Sequence, residues 1–165
     1  QKFGDWRDEF FAKGYIVLKG VVPQERALDY QRRALEWLPK FNLGLDLNDK
    51  STWTQEYLPV MMNAGMVLNY CAAHEAWMWE ARSEQGVIDS FAKLWGTGEL
   101  LVSFDAVNIT LRGRPDVKWK PWPHVDQAPT RKGLVCAQGI INLSEAGPLD
   151  GGLQVLQGSS ELFEQ

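Results

Sequence analysis

The chain has 165 residues, enough for one domain with a real hydrophobic core. Its 45% hydrophobic and 23% charged content is that of a globular protein, and a formal net charge of -4 with scattered basic residues argues against a nucleic-acid surface. No apolar run approaches the roughly 20 residues needed to cross a bilayer, and the charged, aromatic start QKFGDWRDEFF is unlike a signal peptide, so a cytoplasmic location is expected.

In chain order, DWRDEFFAKG predicts a short helix with Asp5 as N-cap and Gly14 just past its end. YIVLKGVV follows as a short apolar strand. PQERALDYQRRALEWLP predicts a longer helix, with Pro23 at its start and Pro39 ending it; Ala27, Tyr30, Ala34, Trp37 and Leu38 recur at helical spacing on one face. FNLGLDLNDKSTW reads as loop, and residues 56–83 predict one or two helices. EQGVIDSFAKLWGTG predicts a helix with Val87, Ile88, Phe91, Leu94 and Trp95 on one side and a glycine stop at Gly96.

Beyond Gly98 the period changes. ELLVSFDAVNITLR is rich in β-favouring residues, RGRPDVKWKPWP is a proline-punctuated loop, and GLVCAQGIINL and GGLQVLQGS read as two further strands. Helices first and strands after define an α+β domain over 1–165, with a helical and strand part at 1–98 and a β core opening at 99–165. Two cysteines, Cys71 and Cys136, suggest a reduced compartment and read as buried small hydrophobes. Most of the eight tryptophans are expected in the core.

The candidate chemistry lies in PWPHVDQAPTRKGLVCAQG. His124 and Asp126 are two residues apart, so on an extended segment their side chains share a face. One imidazole and one carboxylate make up two-thirds of the facial triad that holds non-haem Fe(II) and leaves positions open. The pair is equally consistent with a loop histidine bonded to a nearby carboxylate. His74, among apolar residues in AAHEAWMWEAR, reads as structural.

Three stretches together resemble the phytanoyl-CoA dioxygenase family of Fe(II)/2-oxoglutarate-dependent oxygenases. They are FFAKGYIVLKGVVPQERALDY, then LLVSFDAVNITL leading through a proline loop into HVDQ, then GLVCAQGIINLSEAGPLDGGLQVLQGSS. HVDQ and CxQGxxNL are similar to a branch that occurs in fungi. The resemblance implies a double-stranded β-helix, a jelly-roll with the N-terminal helices packed on it. It implies that His124 and Asp126 ligate Fe(II) and that Asn108 and Gln138 contact the co-substrate 2-oxoglutarate. The expected reaction hydroxylates a small organic substrate with dioxygen, releasing succinate and CO2. The family's second iron histidine and its 2-oxoglutarate-pairing arginine have no counterpart before Gln165, and Ser160 stands where a Gly-Ser-His histidine is usual. The chain is therefore expected to be the N-terminal portion of a longer protein. Two alternatives stay open. One is an inactive or truncated relative that acts by binding; the other is a jelly-roll carbohydrate-binding module with Trp119 and Trp122 as its platform. Arg112, Arg114, Lys118, Lys120, Arg131 and Lys132 cluster around the His-Val-Asp loop, which would suit an acyl-CoA substrate but is more simply a solvated face.

Overall fold

A computed structural model describes residues 2–63, 65–114, 116–118, 122–128, 130–147 and 150–162. Four α-helices stand among them: α1 (Trp6–Lys13), α2 (Gln24–Trp37), α3 (Ala76–Arg82) and α4 (Gln85–Trp95). None is long and apolar enough to cross a membrane.

The local signals set the helix ends. The Asp5 side chain accepts from the Arg7 backbone N–H, and Gly14 adopts φ 81° to return its N–H to the Phe10 carbonyl, which closes α1. The Asp5 carboxylate also takes Arg7 Nη2 at 2.9 Å and Lys93 Nζ at 3.1 Å. Those partners, Arg7 first, hold its pKa far below the usual carboxylate range. Helix α2 runs from just after Pro23 and tightens into a 3-10 turn at Leu38–Phe41, where Pro39 withholds the next helical N–H. Gly96, at φ 70°, ends α4.

The core forms where α2 meets α3. Tyr30, Ala34 and Trp37 of α2 are buried with Leu38, and so are Trp77 and Ala81 of α3. Trp37 Nε1 donates to Glu75 at 3.0 Å, so its polar edge is satisfied inside the core. Around this contact pack Leu45, Leu58, Met61, Val67, Val107, Ile109 and Leu111. Of the described tryptophans Trp37 and Trp77 are buried, Trp6, Trp53 and Trp95 are half-buried, and Trp79 and Trp122 are exposed, against expectation.

Arg33 joins α2 to α3 by a two-pronged pair with Glu80 at 2.7 and 2.8 Å, which raises the arginine pKa still further. Beside it the Tyr30 hydroxyl donates to Glu84 and accepts from Arg26. Burial, with the Glu84 hydrogen bond second, pushes the Tyr30 pKa up to about 12 from an ordinary 10.0. Folding thus favours the neutral phenol. The stabilisation is fully present below pH 10 and is lost as the pH rises through about 12. Tyr30→Phe is expected to cost about 1–2 kcal/mol at neutral pH. The variant should also lose the tyrosine's share of the alkaline decline, read by urea unfolding at stepped pH.

Helix α4 docks more lightly. None of its residues is buried, and the face predicted from Val87, Ile88, Phe91, Leu94 and Trp95 is only partly covered. Its tightest approach is at Gly86, where an added Cβ would sit 2.1 Å from the Val21 carbonyl oxygen. Alanine normally stabilises a helix over glycine. Here Gly86→Ala is expected to reverse that sign and destabilise by about 1–3 kcal/mol, as overpacking does. Thermal unfolding checks it.

The sheet of the described residues is one antiparallel pair, β1 (Met66–Val67) with β2 (Val107–Asn108), registered Met66 to Asn108 and Val67 to Val107. The sequence did not suggest β1, which falls in a region read as helical. YIVLKGVV is not a strand, and Val17 is 72% exposed. Only Val107–Asn108 of ELLVSFDAVNITLR is paired, and GLVCAQGIINL and GGLQVLQGS form no ladder among the described residues. A strand exists only through a neighbour's backbone N–H and C=O groups. With one short neighbour available, these β-favouring segments stay irregular, and Leu101, Phe104, Ile140, Leu153 and Leu156 remain exposed. The described residues display no jelly-roll. Both cysteines are exposed rather than buried, Cys71 at a left-handed turn with φ 55°.

Candidate metal centre

The His-Val-Asp loop begins at Trp122, whose ring stacks on His124 with centroids 4.2 Å apart and planes at 26°. The Trp122 carbonyl oxygen lies 2.9 Å from His124 Nδ1. A carbonyl can only accept, so Nδ1 carries the hydrogen and Nε2 is the nitrogen left to face outward. Nε2 lies 3.4 Å from Asp126 Oδ1. The expectation that the two side chains share a face is met by that distance.

The separation says what the pair can do. At 3.4 Å it is longer than a well-formed N–H···O bond, whose usual length is about 2.9 Å. When Nε2 carries no hydrogen, it and Asp126 Oδ1 present lone pairs to each other, an arrangement that a cation between them relieves. Ligand atoms about 2.1 Å from an octahedral cation sit about 3 Å apart at right angles, close to what the loop already holds. The donor chemistry therefore fits two positions of an Fe(II) site. Among the described residues, no group of three His, Cys, Asp or Glu side chains could hold a metal. His124 and Asp126 side chains are 44% and 53% exposed, so the pair opens to solvent.

Gln138 does reach the pair. Its Nε2 donates to Asp126 Oδ2 at 2.5 Å. Asn108 is turned elsewhere: its Oδ1 accepts from Thr110 Oγ1 at 2.9 Å, over Gly65, where an added Cβ would lie 2.5 Å from that oxygen. No hydrogen bond links Asn108 to His124, Asp126 or Gln138 among the described residues. His74 is exposed and its ring lies tilted against two aromatics, 4.5 Å from Phe104 and 6.1 Å from Trp79. Trp119 and Lys120 lie outside the described residues.

One further contributor was not singled out by the sequence. The Gln127 amide donates to the carbonyls of Arg131 at 3.0 Å and Gly133 at 3.2 Å, closing the loop behind Asp126. Its place beside the pair in HVDQ, ahead of a glycine, was the available signal. Arg114 drops out of the basic cluster: its side chain is 2% exposed and is held by Asp116 at 2.6 Å. An open groove of about 550 Å³ lies between α2 and residues Asn142, Leu143, Ser144 and Glu145; none of the four candidate site residues lines it.

Comparison with known proteins adds one relative. The chain is 51% identical over all 165 residues to the Ava biosynthesis cluster protein O of Aspergillus versicolor, and it spans 53% of that protein's length. No family model matches the chain. No solved structure matches it either.

Proposed function

We propose that the chain carries the two-ligand portion of an Fe(II)/2-oxoglutarate-dependent oxygenase of the phytanoyl-CoA dioxygenase type, built on a jelly-roll. The observation that carries this reading is the tautomer-fixed Nε2 of His124 held 3.4 Å from Asp126 Oδ1. A relative named for a biosynthesis cluster supports a metabolic role. The present chain spans about half of that relative. A protein of the relative's full length would bring the third ligand, a histidine, and the arginine for 2-oxoglutarate.

When bound, iron and 2-oxoglutarate supply oxidative hydroxylation of a small organic substrate, with release of succinate and CO2. The protein's own part is orientation. The Trp122 carbonyl holds the His124 ring in one tautomer, Trp122 stacking shields one face of that ring, and Gln127 closes the loop that carries Asp126. Asp126 leaves no vacant protein position of the kind a halide would need, which favours hydroxylation over halogenation. The test is succinate release from 2-oxoglutarate, under Fe(II) and dioxygen, by a protein of the relative's length. Turnover that is lost on replacement of the residue aligned with Asp126 supports the reading. No metal uptake by that protein sinks it.

A further inference from the structure

We propose that residues 134–143 form a strand-docking edge, filled by a β-strand from the length that the relative has beyond its match to this chain. The proposal requires no metal and stands apart from the His-Val-Asp pair. Burial along the segment alternates. Ala137, Ile141 and Leu143 are half-buried, while Gln138, Ile140 and Asn142 between them are exposed. Ile141 and Leu143 pack against the core. A period of two is that of a strand with one face laid on a core. The stretch through β2 follows the same rule, with Val107, Ile109 and Leu111 buried and Asn108 exposed.

The two stretches differ in their backbones. Around β2, Val107 and Asn108 pair with β1, and the Ile109 N–H reaches the Gly65 carbonyl at 2.8 Å. Among the described residues, no backbone hydrogen bond involves residues 134–143. Gly139 meanwhile brings this backbone against the Phe91 ring of α4, where an added Cβ would stand 3.1 Å from the ring. The segment is therefore seated on the molecule while its N–H and C=O groups stay unpaired, and Ile140 beside them is 70% exposed. Such an edge is a template for a further strand: main-chain bonds hold the newcomer, and the outward side chains set its register. The relative supplies the occupant. It matches this chain over all 165 residues at 51% identity, and the chain spans only 53% of it. A strand from the remaining length is tethered to the edge and acts at about millimolar effective concentration. A second copy of the chain has no such advantage.

Amide hydrogen exchange read by mass spectrometry tests this, on a protein of the relative's length and on the 165-residue chain. Residues 134–143 should exchange at least about tenfold more slowly in the longer protein, the factor that one net hydrogen bond supplies. Helix α2 serves as the folded reference. Within the longer protein, Ile140→Asp should speed exchange of the segment about tenfold by disturbing the cross-strand pairing. Val17→Asp, at an equally exposed apolar residue far from the segment in sequence, should leave it unchanged. That second comparison holds whether or not the shorter chain stays folded. Equal exchange in the two proteins, or an Ile140→Asp that behaves as Val17→Asp does, overturns the docking edge. Protection in the 165-residue chain alone that grows with its concentration gives the edge to a second copy, and overturns the occupant.

Discussion

In a protein of the relative's length, alanine at the position of Asp126 should abolish Co(II) uptake while leaving the melting temperature almost unchanged. Both halves follow from where the residue sits. Its side chain is 53% exposed, and its described polar contacts are with His124 and Gln138 on the same loop. Surface substitutions of this sort stay within about 0.5 kcal/mol. The metal effect is large because the substitution removes one of only two donors that the described residues hold together. The loss should exceed the 10–100-fold that an outer partner costs. His124→Ala should do the same, and Asp105→Ala, on a carboxylate that contacts neither ligand, should do nothing. Isothermal titration with Co(II), paired with a thermal melt of each variant, checks the result. A fall in stability matching the fall in binding would mean that Asp126 is structural. Unchanged binding would remove the metal centre altogether.

Asp116→Ala should have the opposite profile, a large stability loss with no direct effect on metal binding. Arg114 is the buried charge of the described residues, its side chain 2% exposed, and Asp116 meets it with Nη2–Oδ2 at 2.6 Å and Nε–Oδ1 at 3.1 Å. Asp116 Oδ2 also accepts the Gln55 backbone N–H at 2.8 Å, which fastens the loop after Leu111 to the 3-10 turn Gln55–Tyr57. Taking the carboxylate from a buried guanidinium costs about 3 kcal/mol. For a chain of this size that lowers the melting temperature by about 6–12 °C. The pH dependence has a definite sign. Arg114, chiefly by hydrogen bonding, lowers the Asp116 pKa to about 2 from an ordinary 3.8. The pair's contribution is full above pH 3.8 and disappears as the pH falls through about 2. Wild type and Asp116→Ala should therefore differ most near neutrality and converge in acid. Calorimetry across that range checks it, and a constant difference down to pH 2 would assign the stability to packing instead.

The basic stretch RGRPDVKWK illustrates how far local reading reaches. Arg114 and its neighbours look alike in sequence, each a cation in a proline-rich loop. In the structure Arg112 is 80% exposed beside Asp150, while Arg114 is sealed under Asp116. Asp116, two residues on, gives Arg114 a local partner, but its burial is decided by what folds over it. Asn108 gives a second case. Gly65, with no side chain of its own, leaves room for the Asn108 side chain, whose Oδ1 accepts from Thr110 Oγ1.

By itself the sequence determined the starts and stops of α1, α2 and α4, the buried face of α2, and the sharing of one face by His124 and Asp126. Each depends on interactions that act within about one turn or two residues: a capping carboxylate, a left-handed glycine, a ring that withholds an N–H, an i, i+2 spacing. Tertiary structure alone decided that α2 and α3 share the core, that β1 pairs with β2 and the other β-favouring segments do not pair, that Arg114 is buried, and that Gln138 closes on Asp126. Those outcomes need partners tens of residues away, or twelve across a fastened turn. A strand or a side-chain bond has no local code for the partner that completes it.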